Sequence, residues 1–137
     1  MAGPSEQVGY SKRSRLDKLG VKPGMRVGLL GLDDPLFLAE LRQRVAAPCI
    51  GRIPKNSDLA FVYLDQVATL PKLAKTRQAI VQNGAVWAIW PKGRREFRED
   101  DIRAFGASVG LVDVKVIAFS EELSGLKLVI PVAQRGK

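Results

Sequence analysis

Residues 85–90, Ala-Val-Trp-Ala-Ile-Trp, constrain the fold more than any other stretch of the chain. Six apolar residues stand in a row between Gly84 and Pro91. A run this short, bounded by breakers and rich in β-branched and aromatic side chains, predicts a strand buried on both faces. Helical patterning precedes it and a charged loop follows, which suits a central strand of a parallel sheet clothed by helices. In such sheets ligands sit beyond the carboxyl ends of the strands.

The rest of the chain alternates around this strand. Residues 11–19 form a short basic helix, with Ser11 as cap and Gly20 as stop. Residues 25–30 make a first strand. Asp34 caps a helix that carries Pro35 at its first position and turns Leu38, Leu41 and Val45 inward; Pro48 bars its continuation. Residues 49–53 and 59–64 are the second and third strands. Thr69 caps a helix whose apolar stripe is Leu70, Leu73, Ala74, Ile80 and Val81, closed by Asn83 and a left-handed Gly84. After the central strand, Glu99, Asp100 and Asp101 open a helix with Ile102, Phe105, Gly106 and Val109 on one face, ended by Gly110. Residues 112–119 are a strand with Val112, Val114, Val116 and Ala118 on one face, and 126–132 are the last strand. The short connection between these two makes them antiparallel. The expectation is a single-domain Rossmann-like α/β sandwich over residues 11–133, its sheet mostly parallel with a C-terminal antiparallel hairpin. Residues 1–10 and 134–137 read as tails.

Composition removes several chemistries. There is no histidine among the 137 residues, so Ser-His-Asp and Cys-His catalysis and nearly all common zinc sites are excluded. One cysteine, Cys49, excludes an internal disulfide and reads as a small core residue. No run approaches the roughly 20 apolar residues of a membrane span, and the first residues lack the apolar core of a signal peptide. A cytoplasmic location is the simplest expectation. The net charge of +8 is uneven. Lys12, Arg13, Arg15, Lys18, Lys22 and Arg26 face only Glu6 and Asp17 in the first 26 residues. Such basic termini attract a polyanion such as nucleic acid or simply keep a small domain in solution.

From residue 59 onward the order of strand, helix, strand, helix and closing hairpin resembles the second half of class I methyltransferases that use S-adenosylmethionine. That resemblance implies a sheet order of second, first, third, fourth, sixth, fifth, and a fold shortened by one strand-helix unit. Over nearly the whole chain, Lys18-Leu-Gly-Val-Lys-Pro-Gly, Ile89-Trp-Pro-Lys, Gly110-Leu-Val-Asp-Val-Lys-Val and Ser124-Gly-Leu-Lys are similar to a small bacterial family that brings no assigned activity with it.

The methyltransferase pattern needs a glycine-rich loop after the first strand and an acid at the end of the second. Only Gly31 falls in the loop, since Gly28 lies inside the strand, and the second strand ends Arg52-Ile-Pro-Lys55 without an acid. Asp33 and Asp34 at the following helix start repel a pyrophosphate, which argues against a dinucleotide. The expectation is therefore no cofactor, no catalytic residue and no metal. The candidate ligand-binding residues are Gly31, Asp33, Asp65, Trp90, Lys92 and Arg94. Asp33 alternatively caps a helix, Asp65 a turn; Trp90 alternatively packs in the core; Lys92, Arg94 and Arg95 form an anion site or a solvated loop. The leading functional expectation is a non-catalytic methyltransferase-like module for a protein partner or small ligand. The alternatives are a divergent enzyme binding S-adenosylmethionine or a nucleotide, and a nucleic-acid binder acting through its basic termini.

Overall fold

The computed structural model describes residues 14–136, in which one six-stranded sheet has the order β2-β1-β3-β4-β6-β5. In chain order the elements are α1 (Arg15–Leu19), β1 (Val27–Leu30), α2 (Pro35–Arg42), β2 (Cys49–Ile50), β3 (Ser57–Tyr63), α3 (Lys72–Ala79), β4 (Ile80–Pro91), α4 (Glu99–Ser108), β5 (Val112–Ala118) and β6 (Leu123–Val129). Strands β2, β1, β3 and β4 are parallel, and β6 runs antiparallel to both β4 and β5. This is the shortened class I methyltransferase architecture, Rossmann-like with a closing antiparallel hairpin.

The unbroken apolar run of β4 explains the two cores. Ala85, Trp87 and Ile89 point to one face, where α1 and α2 bring Leu19, Phe37 and Leu41. Val86, Ala88 and Trp90 point to the other, where α3 and α4 bring Leu73 and Ile102. Successive strand residues face opposite ways, so only a strand covered on both sides uses six apolar residues in sequence. On the first face Phe37 sits edge-on to Phe61 and Phe119, with ring centroids 5.1 and 4.8 Å apart. The Arg15 guanidinium lies 5.0 and 4.8 Å from the Phe37 and Phe119 centroids. It grips Glu40 through two hydrogen bonds of 3.1 and 2.9 Å and donates a third to the Phe119 carbonyl. That fork-and-stack arrangement is specific to arginine.

Several local expectations are corrected. Gly84 does not close a helix in the left-handed conformation. The helix ends at Ala79, and Gly84 is buried within β4, where a Cβ would stand 2.9 Å from the Asp58 carbonyl oxygen. Its glycine is needed because β4 bulges against β3 between the pairs Ser57–Ile80 and Leu59–Ala85. Thr69 caps no helix: it ends a 3₁₀ turn, Val67–Thr69, and its hydroxyl donates to the Gln66 carbonyl, while α3 starts after Pro71. Ser11 lies outside the described residues, and Ser14 caps α1 instead. The last strand starts three residues earlier than expected, leaving Val132 exposed in a 3₁₀ turn. Val112 and Val116 do not share a face. Their partners Val129 and Leu126 are three apart, because β5 slips one residue between Asp113 and Lys115.

The second strand departs most from expectation. It has two residues instead of five, and no helix joins it to β3. Gly51 turns the chain at φ +94°, Arg52 pairs back onto Leu29, and residues 52–54 run across Gly28. A Cβ on Gly28 would lie 2.9 Å from Arg52 O, Ile53 Cα and Pro54 Cδ. Gly28 therefore admits the returning chain rather than a ligand.

Candidate functional site

The sheet order places a crevice by itself. The chain leaves β1 to one side for β2 and to the other for β3, so the loops beyond the carboxyl ends of β1 and β3 diverge. A cavity of about 490 Å³ opens there, within the size range of small-molecule sites. Its floor and one wall are Gly31 to Pro35; Tyr63, the last residue of β3, forms another wall; and Ser120, Glu122 and Leu123 of the β5–β6 turn close it. The turn reaches this end because β6 is antiparallel to β4: Pro91, where β4 finishes, is opposite Leu123, where β6 begins.

Gly31 has φ +79°, and a Cβ there would meet nothing closer than Tyr63 Cβ at 3.5 Å and Lys72 Nζ at 3.6 Å. The left-handed backbone requires glycine, and the space a side chain would take there is already in ordinary contact with Tyr63 and Lys72. Leu32 is buried beneath. Asp34 is spent on the fold: its Oδ1 accepts the Phe37 N–H at 3.0 Å as the cap of α2. Asp33, exposed beside it, leaves its carboxylate directed to solvent and crevice without serving as that cap. With Glu122 on the opposite rim, two carboxylates that cap no helix line the crevice and suit positive charge or hydroxyls, while Lys72 beside Gly31 and Lys92 at the rim bring ammonium groups to its edge.

The six candidate residues divide. Gly31 and Asp33 line the crevice. Lys92 stands at the rim, its Nζ donating to the Ser120 carbonyl at 2.8 Å. Asp65 and Arg94 meet each other, the Arg94 guanidinium donating to the Asp65 backbone carbonyl at 3.3 Å, outside the crevice lining. Trp90 is 5% exposed and packs in the core of the α3–α4 face. Tyr63, Ser120, Glu122 and Lys72 were not among the expected residues. The antiparallel closing hairpin was the one available signal, since it returns its turn to the end of the sheet where β4 stops. Among the described residues no group of three or more His, Cys, Asp or Glu could hold a metal ion, and no helix is long and apolar enough to cross a membrane.

No family model and no curated protein matches the chain. Solved structures do. A methyltransferase from Aquifex aeolicus, described as SAM-dependent, matches with a TM-score of 0.66 at 14% identity, over 85% of this chain and 87% of its own. A TehB-like SAM-dependent methyltransferase from Corynebacterium glutamicum gives 0.58 at 14% over 85% and 86%. A type 11 methyltransferase from Sulfolobus solfataricus, itself so assigned provisionally, gives 0.63 at 13% over 89% and 92%. At such identities the likeness is one of fold.

One expectation is overturned here. The chain was expected to carry no cofactor, yet the proteins that share its fold over nearly their whole length include ones described as dependent on S-adenosylmethionine. The missing glycine motif and the missing acid on β2 were therefore poor grounds for that expectation. The residues present fit the group in part. Gly31 brings a left-handed stretch of backbone into the lining, and Asp33 and Glu122 suit the sulfonium and ammonium charges that S-adenosylmethionine carries. The end of β2 contributes nothing, because the chain reverses at Gly51.

Proposed function

We propose that the chain is a methyltransferase-like module that binds S-adenosylmethionine in the crevice beyond β1 and β3. The observation that carries this reading is Gly31 at φ +79° beside an acidic cavity at the divergence of the β1 and β3 loops. In it, the Gly31 backbone lies against the ligand, Asp33 and Glu122 meet its positive charges or hydroxyls, and Tyr63 supplies an aromatic wall. Bound S-adenosylmethionine would supply an electrophilic methyl group. The chain's own task is to seat and orient it, since displacement at a methyl group needs alignment more than proton transfer.

Calorimetry with S-adenosylmethionine, S-adenosylhomocysteine and ATP tests the proposal. The expected result is micromolar binding of the first two, weakened about tenfold or more in Asp33→Ala, a change of about 1.4 kcal/mol or more, with ATP excluded by the carboxylates. No heat with S-adenosylmethionine at millimolar concentration would sink it. A second reading keeps the ligand but not the transfer, making the module non-catalytic. It is favoured by the two-residue β2, which leaves that side of the crevice without a gripping acid. Incubation with S-adenosylmethionine and heat-inactivated cell extract separates the two: S-adenosylhomocysteine accumulates above the extract-alone control only if the chain turns over.

A further inference from the structure

The connection between β4 and α4 carries Lys92, Arg94, Arg95 and Arg98, all exposed, against one carboxylate, Glu96. The loop is held in place. Lys92 N donates to the Glu122 carbonyl at 2.9 Å, Phe97 is 1% exposed in the core, and Asp101 accepts the Arg98 N–H at 2.8 Å. The cationic side chains rest on carbonyls rather than carboxylates: Lys92 on Ser120, Arg94 on Asp65, Arg98 on Arg95. Among the described residues the ion pairs all belong to Arg15, Arg44 and Arg103. Glu99 and Asp100, which open α4 just after the loop, are paired with Arg103.

The basic N-terminal stretch is partly engaged. Arg15 is committed to Glu40 and the Phe119 carbonyl, and Arg26 to the Lys55 carbonyl. The 92–98 loop therefore gathers four exposed cations, none in an ion pair among the described residues, on an anchored stretch of backbone.

We infer that the 92–98 loop docks the phosphate backbone of a nucleic acid. Guanidinium forks match phosphate oxygens, and contacts of this kind position a strand without reading its bases. An anionic membrane is the poorer fit, because the one aromatic of the loop, Phe97, is turned inward and nothing apolar is left to insert. The loop borders the crevice through Ser120 and Glu122. If the reading of the crevice given above holds, a strand on the loop lies at its mouth; the docking itself does not rest on that reading.

Fluorescence anisotropy with a labelled single-stranded RNA and a labelled DNA duplex, each of about 20 nucleotides, tests it in the full chain. The expected result for Arg94→Glu with Arg95→Glu is an affinity loss of about tenfold or more and a shallower fall of log K with log salt. Arg42→Glu with Lys55→Glu, the same charge change at the opposite end of the sheet, should move affinity by no more than about twofold. Circular dichroism confirms that each variant is folded. Equal losses from the two pairs, no binding to either probe, or a loss found only in Lys12→Glu with Arg13→Glu would each overturn the inference. So would loop-dependent binding to vesicles containing phosphatidylserine with neither nucleic acid bound. Calorimetry of the Arg94→Glu, Arg95→Glu chain with S-adenosylmethionine keeps the two proposals apart, since a failed crevice reading leaves the anisotropy result intact.

Discussion

Trp87 in the central strand donates its indole N–H to the carbonyl oxygen of Leu19 at 2.9 Å, across 68 positions of sequence, with both residues fully buried. The bond fastens the last turn of α1 to the middle of the sheet. Trp87→Phe keeps the ring in the core but removes the donor facing a buried carbonyl. The expected loss is about 1–3 kcal/mol, read as a lower urea midpoint with an unchanged slope. An unaltered midpoint would mean that the carbonyl finds another donor.

Gly28 and Gly93 predict opposite causes of instability. Gly28→Ala places a methyl group 2.9 Å from three atoms of the returning 52–54 segment, two of them backbone, and should cost about 1–3 kcal/mol by overpacking. Gly93→Ala meets nothing within 4 Å but sits at φ +77°, and should cost about 1 kcal/mol from the left-handed backbone alone. Thermal melts rank them. A smaller cost at Gly28 would show that the returning segment shifts easily.

Asp17 connects to pH. Its hydrogen bond from Arg44, at 2.7 Å, is the main reason its carboxyl titrates below 3.8 in the folded chain. A carboxylate with a lowered folded pKa adds stability above its unfolded value, and that stability is lost as pH falls through the folded one. Arg44→Gln should move the Asp17 transition up toward 3.8, as followed by carboxyl NMR. The stability gap from the native chain should narrow as pH falls below that value. A transition that stays in place would show that Arg44 is not the main cause of the shift.

How much of this was legible varies with the physics involved. Residues 85–90 announced a doubly buried strand because the run is short, bounded by breakers and rich in β-branched and aromatic residues, and the sheet order came from the resemblance to class I methyltransferases. Asp34-Pro35 was legible as a helix start because capping is local. Gly84 was misread because its role is set by the Asp58 carbonyl of another strand, and no local pattern distinguishes a helix stop from a bulge. Phe37 was passed over for Leu38, since the two differ by one position on a short helix and only the rings of Phe61 and Phe119 decide which points inward. In the crevice, Gly31 and Asp33 follow directly from the first strand, whereas Tyr63 and Glu122 come from elements brought together only by the fold. Trp90 reads equally as pocket or core until its packing is seen.

The grip of Arg15 on the Phe119 carbonyl spans 104 positions. During synthesis the seat of α1 is therefore completed only after residue 119 has left the ribosome, although Glu40 and Trp87 supply parts of it earlier. Contacts so remote in sequence slow the search for the native arrangement.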